Sequence, residues 1–157
     1  MDGIAGGAFV LQPGEGRAID VGTTSRTVKA DGEATDGAFS LIETAGPPGS
    51  GPPLHIHDDA AESFYVLEGE FIVYLDSREV LCPAGSFVYI PAGLPHGFKV
   101  GSVPSRKLNL FTPAAMAGYF DELADAARRG TVDPDTLAVI ARRHSMRVVG
   151  PLPEGYS

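Results

Sequence analysis

From about residue 7 to residue 111 apolar and polar side chains alternate in short runs separated by turn residues. Ala8–Gln12, Arg17–Val21, Arg26–Ala30, Ala38–Thr44, Leu54–His57, Ser63–Leu67, Phe71–Leu75, Phe87–Ile90, His96–Val100 and Lys107–Phe111 each read as a strand. Side chains two apart on a strand share a face, so the alternation predicts sheets with one buried side. Many short strands with frequent turns predict an all-β barrel or sandwich. Between Gly46 and Pro53 every residue but Ser50 is Gly or Pro. Such a stretch has little to pack and few N–H donors for a ladder, so a loop at the barrel mouth is expected there.

After Phe111 the period becomes helical. Thr112 is placed to cap a helix with Pro113 in its first turn, and Met116, Phe120, Leu123 and Ala127 fall on one face before Gly130 stops it. Asp133 and Pro134 announce a second helix, with Leu137, Ile140, Ala141 and His144 on a common stripe. The pair is expected to cover an outer face of the barrel. Residues 1–157 then read as a single domain: barrel about 7–111, helical segment about 113–145, and a loose tail from Gly150 to Ser157.

Composition narrows the function classes. A net charge of −8, with no local Lys/Arg cluster, disfavours nucleic acid and anionic membrane surfaces as partners. The longest apolar runs, such as Phe71–Leu75, are strand-sized and too short to span a bilayer. The lone Cys82 cannot form an internal disulfide and the N-terminal residues lack a signal-peptide pattern, so a cytoplasmic home is expected. The 20 glycines and 13 prolines suit many tight turns.

The histidines carry the chemistry. His55 and His57 stand two apart on a strand and point to the same face, so both imidazoles can reach one ion; alone, such a pair is weak evidence. Glu62 follows a short acidic turn and can begin the next strand facing the same interior. His96 lies far along the chain, directly after the turn sequence Pro91–Pro95.

At this point the chain resembles the cupin superfamily. Gly49, His55, His57, Glu62 and Gly69 stand at the spacing of the first cupin motif, and Gly85, Pro91, Gly93 and His96 match the second. The Asn that usually closes the second motif is Val100, which leaves the ligands intact. The resemblance covers roughly residues 35–111 and implies a double-stranded β-helix, or jelly-roll, barrel holding one divalent metal ion with His55, His57, Glu62 and His96. Three imidazoles and a carboxylate suit Fe, Mn, Ni, Co, Cu or Zn. On a metal that accepts six donors, four protein ligands leave two open positions, unlike a closed structural zinc site.

On the ligand strands alternation puts Phe64, Val66 and Phe98 on the ligand face, as an apolar substrate pocket or simply as core. Tyr65, Tyr74 and Tyr89 read as sheet packing, Cys82 as a buried small hydrophobe, and Asp58 and Asp59 as a solvated turn. The whole chain is similar to small quercetin 2,3-dioxygenase-like cupins, which implies an enol or phenol substrate reacting with O2, with Glu62 as ligand and catalytic proton acceptor. A redox-neutral cyclase, isomerase or decarboxylase acting through an enolate would use the same ligands. A non-enzymatic small-molecule binder leaves the open positions without a purpose. A homodimer is expected, with an outer sheet face covered by a second copy.

Overall fold

A computed structural model describes residues 2–3 and 6–151. The strands are β1 (Asp2–Gly3), β2 (Phe9–Val10), β3 (Arg17–Val21), β4 (Thr24–Ala30), β5 (Ser40–Gly46), β6 (Leu54–His57), β7 (Ala61–Glu68), β8 (Glu70–Leu75), β9 (Arg78–Pro83), β10 (Phe87–Ile90), β11 (His96–Val100) and β12 (Ser105–Thr112). Helices α1 (Ala117–Arg129) and α2 (Pro134–Arg143) follow, and β13 (Met146–Gly150) comes last. One sheet runs β10-β7-β12-β5-β4-β3 and the other β13-β6-β11-β8-β9, all antiparallel, with β1 and β2 paired apart from both. Consecutive strands switch sheets, as β6 to β7 and β10 to β11 do, and this gives the jelly-roll barrel.

The inner faces meet in two apolar clusters. One, built on Phe64, Val66, Phe71, Val73, Cys82, Val88, Ile90 and Val100, fills the space between the sheets at one end. The other joins Ile19, Val28, Ile42 and Phe111 of the larger sheet to Met116, Ala117 and Ala124 before and on α1, to Ala141 of α2 and to Met146 of β13. The helices therefore do not cover an outer face. They lie over the open end of the barrel, because their apolar stripes join the interior.

Several boundaries differ from the sequence expectation for local reasons. β2 is shorter than the run Ala8–Gln12. The first helix does not start at Thr112, which pairs with Ala61 at the end of β12; α1 begins at Ala117 after a left-handed Met116 (φ 72°) that supplies no side-chain cap. The second starts as the sequence indicates, with the Asp133 carboxylate accepting from the Thr136 N–H at 2.7 Å and Pro134 in the first turn. β9 was missed because it is an exposed edge strand without clean alternation, joined to β8 through Asp76 and Ser77 at positive φ, where the familiar Asn-Gly signal is lacking. Gly150, where the sequence pattern places the start of a loose tail, is the last residue of β13, and the rest of that tail from residue 152 onward lies outside the described residues. Tyr65 and Tyr89 sit on the outer sheet face, about half exposed. No helix among the described residues is long and apolar enough to cross a membrane.

Two motif glycines differ in what they permit. Gly49 and Gly69 both take positive φ (81° and 70°), which a side chain resists. A Cβ on Gly49 would meet nothing, whereas one on Gly69 would collide with Ser105 Oγ and lie 2.7 Å from the Pro104 carbonyl. We expect Gly49→Ala to lower stability by about 1 kcal/mol, the left-handed cost alone, and Gly69→Ala to lower it by clearly more. Urea denaturation of the two variants side by side checks the order.

Candidate functional site

The barrel brings the four polar residues together from opposite sheets. His55 and His57 lie on β6 and His96 on β11, where His96 is the cross-strand partner of His55. Glu62 comes from β7 of the other sheet and pairs with Ile90 and Phe111. All four are buried, and their ligand atoms lie within 4.8 Å of one another. The chain reaches β7 from β6 through the turn at Asp58 and Asp59. That turn is tied down by the Asp58 N–H donating to the Ser145 carbonyl at 2.8 Å and by Arg147 forking onto the Asp58 carboxylate.

Backbone acceptors orient the rings. Nδ1 of His55 donates to the Pro53 carbonyl at 2.8 Å and Nδ1 of His96 to the Leu94 carbonyl at 2.9 Å, which turns Nε2 of each toward the cluster. Glu62 Oε2 stands 3.1 Å from His57 Nε2 and 2.9 Å from His96 Nε2. Its other oxygen, Oε1, accepts from the Asn109 amide. Burial alone would push the Glu62 carboxyl up, but hydrogen bonds and charge from His57 and His96 outweigh it and hold the group well below the usual range. His55 is lowered as well, but there burial is the main cause: burial, then repulsion from His96, pushes it down to about 4 and favours the neutral ring. At neutral pH the cluster thus offers an ionised carboxylate and at least one neutral imidazole, the forms that bind a transition metal. The donor set fits one divalent ion, and these four residues could hold it; nothing in it selects one metal.

A cavity of about 310 Å³ opens from the cluster. Phe98 lines it, while Phe64 and Val66 sit beneath in the apolar cluster. The Gly/Pro loop supplies Ser50, Gly51, Pro52 and Pro53 at its rim, and Val100 ties that loop down by accepting from the Gly49 N–H at 2.9 Å and donating to the Ser50 carbonyl at 2.8 Å. The helical segment gives Met116, Tyr119, Phe120, Leu123 and Leu137, and β13 gives Met146 and Val148. Asn109, Arg26, Thr44 and Phe111 also line it. Sequence reasoning missed Asn109, Arg26 and Lys107. Their signal was present: each is polar in the inward phase of a strand, beside Phe111 on β12 or Val28 on β4. Cys82 is buried in the apolar cluster and burial pushes its thiol up. His144 pairs with Glu122 at 3.0 Å.

Two packed antiparallel sheets with a His-rich cluster between them define a cupin-type barrel, and the cupin domain family Cupin_2 matches residues 44–108. Over those residues, and in its fold, the chain resembles small cupins of the quercetin 2,3-dioxygenase-like type. It is 29% identical to the quercetin 2,3-dioxygenase of Bacillus subtilis over 117 residues, covering 74% of this chain and 35% of that protein. It is 35% identical to the acireductone dioxygenase of Gluconacetobacter diazotrophicus over 81 residues, 48% of this chain and 44% of that one. Among solved structures it is similar to the polyketide cyclase RemF of Streptomyces resistomycificus, with a TM-score of 0.59 and 26% identity over 67% of this chain and 79% of that one. The chain spans between 35% and 56% of the length of the curated relatives it matches.

Loss of any one of His55, His57 or His96 to Ala should sharply lower the metal content of the purified protein, read by elemental analysis after loading. Asn109→Leu keeps all four ligand residues but frees Glu62 Oε1, so metal affinity should fall roughly 10- to 100-fold with the fold intact. A competitive chelator titration measures it, and unchanged affinity would remove Asn109 from the site.

Proposed function

We propose that the protein is a metal-dependent dioxygenase of the quercetin 2,3-dioxygenase-like type, acting with O2 on a small enol or phenol. The observation that carries this reading is a buried set of three imidazoles and one carboxylate opening onto a largely apolar cavity. The likeness to the B. subtilis quercetin 2,3-dioxygenase supports it. In this reading His55, His57, Glu62 and His96 hold the ion, which when bound supplies Lewis acidity toward the enol oxygens and, if redox-active, a route to O2.

The protein's own residues do the rest. Phe98, Phe111 and Met116 exclude water along the cavity and favour a flat, conjugated substrate. Phe64 and Val66 support the wall from below rather than touching the cavity. Glu62 is ionised and faces the cavity with Oε1 held by Asn109, so it is positioned to take the hydroxyl proton of an entering enol.

A redox-neutral reading, in which the same enolate is cyclised or isomerised, is favoured by the likeness to RemF. Oxygen electrode measurements on the metal-loaded protein with flavonols, diketones and other enols separate the two, since turnover without O2 uptake leaves only the redox-neutral reading. Glu62→Gln keeps a coordinating oxygen but loses the base. Turnover should fall about 10²-fold or more, beyond any loss of metal, and the deficit should shrink for more acidic enols. A loss that merely follows metal content across the series would rule out the base role.

A second copy of the chain is the partner we propose for the outer face of β7 and β10, where Phe87 is cross-strand partner to Tyr65 and Phe87, Tyr89 and Tyr65 are exposed side by side. Light scattering at micromolar concentration should give a dimer mass, and Phe87→Glu should convert it to monomer.

A further inference from the structure

The inner face of the larger sheet has a row of unusual composition. Arg26 on β4 and Lys107 on β12 both stand in register with Thr44 on β5. Lys107 also pairs with Val66, four residues along β7 from Glu62. Four residues of strand cover about 13 Å, so this row and the histidine cluster mark the two ends of one interior. The cavity joins them, for Arg26 and Thr44 line it together with His55, His57 and Glu62.

Arg26 lacks the partner that such a position calls for. Its Nη1 is buried without a hydrogen-bond partner, and no described carboxylate forms an ion pair with it. Its guanidinium lies 4.5 Å over the Phe120 ring, which fixes its plane but does not satisfy its N–H groups. The nearby groups are the Tyr119 phenol, the exposed Asp20 and the Lys107 ammonium, and the last repels it. Lys107 Nζ, also without a hydrogen-bond partner, sits 3.5 Å from the Phe98 ring centre and 4.2 Å from that of Phe64. Arg26 as a whole is half-buried, but leaving its buried Nη1 unpaired is costly, and a planar guanidinium is matched best by a carboxylate, which it grips with two parallel hydrogen bonds.

We infer that the substrate is two-headed: a conjugated enol whose oxygens meet the histidine cluster and whose far end carries a carboxylate received by Arg26. The inference rests on the enol reading of the metal site and adds the substrate's second charge. Arg26 is then the residue that sets specificity for the acid over its neutral analogues.

The test uses 3-hydroxyflavone-4′-carboxylate and its methyl ester as probes, titrated calorimetrically into the metal-free and the zinc-loaded protein. In both forms the acid should bind about tenfold or more tighter than the ester, the range of a hydrogen-bonded charge pair. Arg26→Met, which keeps the stem packed on Phe120, should erase that preference while ester affinity and metal content stay unchanged; Arg26→Lys should retain part of it. Equal affinity of the two probes for the wild-type protein overturns the inference whether or not the variants fold, and so does a preference that survives in Arg26→Met. Zinc loading should strengthen both probes alike. If it strengthens neither, the enol reading of the metal site fails while the Arg26 result stands on its own. Absence of binding by either probe overturns both.

Discussion

A carboxylate buried between two sheets stays ionised only if something in the interior holds its charge, and Glu62 is held from both sides. His57 and His96 reach it from the smaller sheet, and Asn109 reaches it from the strand next to its own. Without these contacts burial would favour the neutral acid. The spacing of the sheets, the register of β11 against β6 and the orientation of the imidazoles by the carbonyls of Pro53 and Leu94 all have to be right for that contact to exist. Polar residues that would destabilise an ordinary sandwich core thus become a donor set for a cation, and the apolar cluster around Phe71 and Val73 supplies the packing that the cluster itself does not.

The C-terminal segment belongs to this arrangement. α1 and α2 bring Tyr119, Phe120, Leu123 and Leu137 over the open end of the barrel, and β13 adds to the edge of β6, pairing Met146 with His57 and Val148 with His55. A strand laid along β6 satisfies the outer backbone groups of the ligand strand and stiffens it against fraying. The helices enclose the cavity on the side that the Gly/Pro loop leaves open. The cavity lining is therefore divided between the cupin motifs, which supply the polar end, and residues after Phe111, which supply much of the apolar wall.

How much of this was legible depended on whether a signal was local. His55 and His57 share a face because of strand geometry alone, and the alternation through Phe64 and Val66 gives the inward phase of β7 without reference to the rest of the fold. Asp133 and Pro134 mark a helix start in two residues. By contrast, Thr112 carries a good cap side chain yet stays in β12, because its pairing with Ala61 is a contact across many residues of sequence that no local pattern contains. β9 and β13 were not legible for a related reason: both are largely exposed edge strands, so burial imposes little alternation on them. That Glu62 and the histidines come from opposite sheets was not legible, since the sequence only places Glu62 on the next strand facing the same interior. Arg26, Lys107 and Asn109 were legible in principle, since a polar residue in the inward phase of a strand breaks the pattern, but their common cavity is visible only in three dimensions.

Charge sets the last constraint on what the interior can accept. Glu62 contributes one negative charge near the cluster, and a divalent ion there would leave that end of the cavity positive. At the other end Arg26 is cationic, and Lys107, which burial pushes down to about 7, is close to the point of giving up its proton. Bringing a divalent ion into the same interior works in the same direction on Lys107, because like charges in a low-dielectric space disfavour each other's charged forms. Its amine can become neutral at little cost, whereas the Arg26 guanidinium cannot. With an ion held by the four residues, the interior would keep two centres of positive charge, one at each end, with apolar side chains between them. An occupant that is anionic at one end only leaves the other unpaired; one anionic at both ends, with a flat apolar middle, matches the cavity along its whole length.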